Sequence, residues 1–303
     1  MGTRRAALHL DLFEQPGRNH WEGRLHDLFP DPQPPARDPW DSMGLPERII
    51  CLTAETTEIA FALGAGARVV GVSGYSVRPR EAREKPKVAA FTSAKLDKIL
   101  ELRPDLVLAF SDLQADLVRD LVKAGLSVLV TNQRSLSETW DAIRLIGRLL
   151  GCAAEAERLA ADLDAEVQQV RQEAERLPRR PRVFFEEWDD PLISGIRWVS
   201  ELIEAAGGVD IFPELRDAAR APDRVVDPAE VVRRNPEVIV ASWCGKRVVP
   251  DRIRARPGWE ATSAIRHGRI HEIKSPDILQ PGPSLILGLR QLADCIAPAA
   301  LEP

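Results

Sequence analysis

Residues 96–111 read LDKILELRPDLVLAFS, and residues 228–243 read PAEVVRRNPEVIVASW. Each stretch has the apolar spacing of a short amphipathic helix, then a proline that ends it, then a run with the composition of a buried strand. Laying Pro104 on Pro236 brings Ile99 and Leu100 onto Val231 and Val232, and Asp105 onto Glu237. Leu106, Val107, Leu108 and Ala109 then fall on Val238, Ile239, Val240 and Ala241. A helix–turn–strand unit written twice implies two related α/β lobes.

A second pair supports the duplication. Residues 57–71 (TEIAFALGAGARVVG) resemble residues 200–214 (SELIEAAGGVDIFPE), and each precedes the proline unit of its own half. Gly64, Gly66, Gly207 and Gly208 mark the expected helix stops, because glycine reaches positive φ without steric cost. Between the halves, Trp140, Ile143 and Ile146, then Leu159, Leu163, Val167 and Val170, recur at helical intervals. The pattern predicts a helix over residues 136–150, capped by Ser135 or Ser137, and a longer one over residues 153–177. Gly151 and Cys152 break them, and Pro178 and Pro181 follow the second.

Length and composition agree with two lobes. The chain has 303 residues, room for about two domains. The divisions expected are an N-terminal lobe over residues 46–134, a linking helical region over residues 135–178 and a C-terminal lobe over residues 179–303. A net charge of -5 argues against a nucleic-acid surface. Cys51, Cys152, Cys244 and Cys295 are widely spaced and lack zinc or disulfide patterning. No apolar run is long enough to span a membrane.

Residues 1–45 are rich in proline and charge, and their composition predicts a disordered or loosely packed extension. Arg4 and Arg5 are not followed by the apolar stretch of an export signal, and Met43 offers an alternative start without supplying one. The expectation from these residues is a cytoplasmic protein.

In open α/β sheets the ligand sits outside the carboxyl ends of the strands. That rule selects Thr53 to Thr57, Tyr75 and Ser76, and Phe110 to Asp112 in the first half. In the second half it selects Glu186 to Asp190, Trp243 to Gly245 and Asp277 to Pro283. Seven tryptophans against one tyrosine suit a large, partly apolar ligand, since an indole covers wide area while its N–H seeks an acceptor.

Signatures of catalysis are absent: no GxSxG elbow, P-loop or dinucleotide GxGxxG occurs. His267 and His271 fall on an expected hairpin, RHGRIHEI, where the Gly268 turn spoils helical metal-ligand spacing. The carboxylates Glu186, Glu187, Asp189 and Asp190 could serve acid–base chemistry or form a solvated rim, and the rim is the expectation. Neither catalytic nor metal-ligating residues are assigned.

From Arg48 to Ile296 the chain resembles the helical-backbone (class III) substrate-binding proteins of ABC importers, particularly the cobalamin-binding members. The resemblance rests on RIICLTAETTEIAFALGAGARVVGVSGYS (48–76) with RPREAREKP (78–86), KLDKILELRPDLVLAF (95–110) and AGGVDIFPEL (206–215). It continues in PGWEATSAIRHGRIHEI (257–273) and PGPSLILGLRQLA (281–293). It implies an α/β fold of two Rossmann-like lobes with central parallel sheets, joined by a long rigid helix, with the ligand cleft between them.

The same resemblance implies a monomer that binds cobalamin (vitamin B12) reversibly, needs no covalent cofactor and works with an ABC permease and its ATPase. It would place the corrinoid against Ala54, Glu55, Thr56, Tyr75, Phe91, Phe110, Trp188, Trp243 and Gly282. Relatives of this fold also bind ferric siderophores or haem, and Arg78, Arg80 and Arg197 keep an anionic ligand as the alternative. Family members dock through one acid on each lobe. Here Asp97 stands in the first position, while the second holds Ala229 with Glu230 one step along. That shift, with the missing export signal, raises a further alternative, a cytoplasmic corrinoid-binding protein for salvage or regulation.

Overall fold

The computed structural model describes residues 44–302. The extension expected over residues 1–45 therefore lies outside the described residues, apart from its last two positions.

Alternation of side chains sets the architecture. In the first lobe, β1 (Ile49–Cys51), α1 (Ala54–Ala62), β2 (Val69–Ser73), β3 (Lys87–Ala90), β4 (Ser93–Ala94), α2 (Leu96–Glu101), β5 (Leu106–Phe110), α3 (Ala115–Lys123) and β6 (Val128–Thr131) follow in order. The sheet order is β4-β3-β2-β1-β5-β6. All its pairs are parallel except β3 with β4. Ile49, Cys51, Leu106 and Leu108 point into a large core on one face, while Ile50, Leu52, Val107 and Ala109 point into a smaller core on the other. Burial on both faces explains why these strands read as continuous apolar runs.

Two helices, α4 (Leu136–Leu149) and α5 (Ala153–Ala174), come next. Ser135 caps α4 through a full capping box with Glu138. Its partner α5 has 22 residues, a length of about 33 Å. The two helices pack closely: a Cβ at Gly147 would lie 2.2 Å from that of Ala156. The apolar positions read from the sequence, Trp140 to Val170, are all buried.

The second lobe contains β7 (Arg182–Asp189), β8 (Leu192–Ser194), α6 (Arg197–Ala205), β9 (Val209–Asp210), α7 (Pro228–Arg234), β10 (Val238–Ala241), α8 (Pro250–Arg254), α9 (Ser263–Arg266), β11 (Ile270–Glu272), α10 (Ser275–Ile278) and α11 (Leu285–Leu301). Its path is β11-β10-β7-β8, with β9 beside the start of β7. The parallel set β9-β7-β10-β11 matches β2-β1-β5-β6 strand for strand.

Duplication extends to side chains. Asp105 accepts from the backbone N–H groups of Glu47 and Arg48, and Glu237 accepts from that of Arg182. Arg48 donates to the carbonyls of Leu102 and Arg103, as Arg182 does to that of Asn235. The residues before the two prolines, Arg103 and Asn235, both take positive φ, 44° and 47°. Each copy thus ties its central strand to the next by one carboxylate and one guanidinium. Of the four glycines read as helix stops, Gly64 and Gly207 adopt positive φ. Gly208 instead serves close packing, since a Cβ there would lie 2.8 Å from Val183.

One departure concerns His267 and His271. His267 closes α9 and His271 lies in β11, which runs parallel to β10, so the segment is a helix–turn–strand unit and not a hairpin.

Candidate ligand-binding site

The loops at the carboxyl ends of both sheets converge. After β1 the chain turns directly into α1, held by hydroxyls. Thr57 Oγ1 donates to the Thr53 carbonyl at 2.8 Å and meets Ser76 Oγ at 2.8 Å, while the Thr53 and Thr56 hydroxyls pair at 3.0 Å. Ala54, Glu55 and Thr56 are consequently buried. Burial first, then the nearby charge of Glu58, pushes the Glu55 carboxyl up to about 7.

Tyr75 behaves differently. It is 49% exposed and faces the other lobe, where a Cβ at Gly245 would sit 4.0 Å from its ring. Phe91 is half-buried and Phe110 buried, and Gln114 stitches their loops together. Its Oε1 accepts from the Phe110 N–H and its Nε2 donates to the Phe91 carbonyl. Arg134 lies over the Phe110 ring at 5.4 Å and pairs with Asp112 at 2.7 Å.

In the second lobe, Trp188 is half-buried under the Lys246 ammonium, 4.0 Å from the ring centroid. Trp243 does not stand in the gap as expected. It is 1% exposed, packed among Phe184, Ile253 and Trp259 in the core behind the sheet. Its N–H donates to Glu186 Oε1 at 2.8 Å, and Glu186 is held by Arg256 at 2.6 Å. A buried indole with a satisfied N–H is a packing element.

Of the carboxylates expected as a solvated rim, Asp190 is exposed, while Glu186 is buried and Glu187 and Asp189 are half-buried and paired. Glu187 pairs with the buried Arg224, and Asp189 with Lys246 and Arg252. These pairs stiffen the β7–β8 hairpin.

Contacts between the lobes cluster around residues 276–282. Gly282 rests on Glu55, where a Cβ would come within 2.9 Å of the Glu55 Cβ. Only glycine fits that approach. Gln133 Nε2 donates to the Pro281 carbonyl at 3.2 Å. Arg78 spans the gap: its guanidinium meets Glu58 at 3.2 Å, Asp277 at 2.8 Å and the Pro276 carbonyl at 2.6 Å. Burial outweighs the Arg78 charge at Glu58 and holds that carboxyl above its usual range. Gln133 and the bridging role of Arg78 could not be found from local sequence, because their partners lie 148 and 198 residues away.

The acids considered for docking differ in state. Asp97 is exposed in the first turn of α2. Glu230 is gripped by Arg233 and Arg234, whose bonds pull its carboxyl down to about 2.

Hollows of about 240 Å³ and 350 Å³ lie on the first lobe, one lined by Lys87, Lys98 and Leu102, the other by Thr131, Gln133 and Leu145. Neither is lined by Tyr75.

The sequence pattern of the periplasmic binding protein family matches residues 49–276. The chain belongs to this family. An uncharacterized ABC transporter substrate-binding lipoprotein of Bacillus subtilis is 29% identical over 265 residues, covering 84% of this chain and 81% of that protein. A vitamin B12-binding protein of Vibrio vulnificus is 27% identical over 258 residues, covering 83% and 90%. The solved periplasmic heme-binding protein RhuT from Roseiflexus superposes with a TM-score of 0.73 at 28% identity, over 85% of this chain and all of that one. The fold is therefore that of a two-lobed periplasmic binding protein.

Membership also corrects the expectation of a cytoplasmic protein. The family is periplasmic, and the Bacillus relative is a lipoprotein. The cytoplasmic alternative for corrinoid salvage or regulation falls with that expectation. Among the described residues no helix is long and apolar enough to cross a membrane.

Proposed function

We propose that this protein reversibly binds a corrinoid of the cobalamin type between its lobes and presents it to an ABC-type importer, without chemistry on the ligand. The observation that carries the reading is the state of the arginines around the gap. Of the three arginines that favoured an anion, Arg78 is taken by Glu58 and Asp277 and Arg197 by Glu201 and Asp217, which leaves only the exposed Arg80 and no converging set; Arg134 nearby pairs with Asp112. An anionic siderophore calls for converging free guanidiniums, whereas a corrinoid with neutral amide side chains suits apolar walls with a few hydrogen-bonding groups. Similarity to a vitamin B12-binding protein over most of both chains supports the same choice.

In this reading residues 46–134 and 179–303 form the two jaws and residues 135–178 connect them. Tyr75, Phe91, Phe110 and Trp188 line the ligand when the jaws part, and Ala54, Glu55, Thr56 and Gly282 form the base. Trp243 supports its loop from behind. Docking to the importer runs through Asp97 on the first lobe, with Glu230 contributing little because its charge is already paired.

Haem is a second reading, favoured by one observation. Tyr75 presents a half-exposed side chain to the gap, tyrosine can ligate haem iron, and RhuT is a heme-binding protein. Spectral titration separates the two. The corrinoid reading expects 1:1 binding of cyanocobalamin and no Tyr75-dependent shift of the haemin Soret band. Binding of haemin that is lost in Tyr75→Phe, without cyanocobalamin binding, overturns it.

A further inference from the structure

Three buried oxygens around the 280–282 loop have no hydrogen-bond partner: Glu55 Oε1, Gln133 Oε1 and Gln280 Oε1. Burying such groups unpaired is costly, and native proteins keep few of them. Glu55 is 2% exposed and Gln133 4%. They come from separate elements, the first turn of α1, the loop after β6 and the loop between α10 and α11, yet Glu55 and Gln133 meet at one peptide beside Gln280. Pro281 accepts from Gln133, and Gly282 lies on Glu55.

The orientation of Gln133 follows from its partner. A backbone carbonyl only accepts, so Nε2 must face Pro281, and Oε1 is left pointing away without a donor. Arg78 is committed to Glu58 and Asp277, and Arg134 gives its terminal N–H groups to Asp112 and the Gln133 carbonyl, which leaves its Nε as a lone unpaired donor. Around the 280–282 loop the unpaired acceptors, on Glu55, Gln133 and Gln280, outnumber the one unpaired donor, Arg134 Nε.

We infer that Glu55, Gln133 and the 280–282 loop form a subsite that accepts the N–H groups of a primary carboxamide on the ligand. The inference rests on the corrinoid reading above and adds a rule of selection to it. A carboxamide supplies two donors to these oxygens. A carboxylate supplies none, and it would bring a second anion to Glu55. Parting of the lobes lifts Gly282 off Glu55 and opens the subsite.

The test compares cyanocobalamin with its monocarboxylic acids, each made by hydrolysing one peripheral amide, on the full chain at pH 8. At least one of the acids should bind about tenfold more weakly than cyanocobalamin, the scale of one hydrogen bond replaced by repulsion. In Glu55→Gln, whose amide can donate to a carboxylate, that difference should shrink at least about threefold. Gln133→Leu, which removes an acceptor and keeps the bulk, should weaken cyanocobalamin itself and covers the case in which Glu55→Gln fails to fold. If all the acids bind within about twofold of cyanocobalamin, or if the folded variants leave the ratio and the affinity unchanged, the subsite is refuted while the corrinoid reading stands. If cyanocobalamin does not bind at all, the corrinoid reading fails and takes the subsite with it.

Discussion

Replacing Arg78 by methionine should cost this protein stability in a manner that depends on pH. The guanidinium is 22% exposed, and it sits between Glu58 and Asp277, whose side chains are 7% and 12% exposed. Methionine keeps much of the stem's bulk and leaves two buried carboxylates facing each other, with the Pro276 carbonyl orphaned. Breaking a buried ion pair from one side costs about 3–5 kcal/mol, and the residual exposure of Arg78 argues for the lower end. A loss of about 3 kcal/mol is expected at pH 8.

The sign with pH follows from burial. Glu58 already titrates above its usual range despite Arg78, and without the guanidinium it titrates higher still. A carboxyl whose folded pKa exceeds its unfolded one takes up a proton on folding, so the variant regains stability as pH falls. At pH 5 the deficit should be about half that at pH 8. Urea unfolding followed by tryptophan fluorescence reads both values, with an unchanged slope on denaturant showing that the unfolding transition is the same. A single core cluster contains residues of both lobes, from Ile49 to Ala299, so the bridge contributes to one global transition. A deficit below about 1 kcal/mol at pH 8, or one that does not change with pH, would refute the reasoning.

Other expectations follow from the same structure. Glu55→Gln should remove a slope in stability between pH 4.5 and about 7, across which the buried acid of the native chain holds a proton that the unfolded chain releases. The wild type should lose on the order of 3 kcal/mol over that window as pH rises, and the variant much less, by urea unfolding at several pH values. Trp243→Ala should cost about 3–5 kcal/mol of stability, because it empties a packed site, and thermal melting reads it directly. Tyr75→Ala should leave stability within about 0.5 kcal/mol and weaken cyanocobalamin binding about tenfold in calorimetry. Trp198→Phe removes the N–H bound to the Ile278 carbonyl at 2.9 Å and should cost about 1–2 kcal/mol in urea unfolding.

How far the sequence could be read depended on the range of each interaction. Leu106 to Ala109 and Val238 to Ala241 announce buried strands because alternation and proline placement are local, and their two faces enter two cores in the same order in each lobe. Ser135 and Glu138 announce the start of α4 for the same reason. Trp243 misled because its environment is set from a distance. Glu186 and Arg256 converge on one side of the indole and Phe184 and Trp259 pack nearby, which no local spacing reveals. Arg78 was visible as a charge near the gap, but its capture by Glu58 and Asp277 needed the second lobe in place. The cellular location was misjudged from residues 1–45, and family membership corrected it.

Hydrogen exchange with and without cyanocobalamin tests the central claim most directly, because it reads both lobes at once. Slower exchange is expected together at residues 53–57 and 73–76 in the first lobe and at residues 243–246 and 280–284 in the second. Protection confined to one lobe, or none at saturating cyanocobalamin, would contradict the account of a corrinoid held between two jaws.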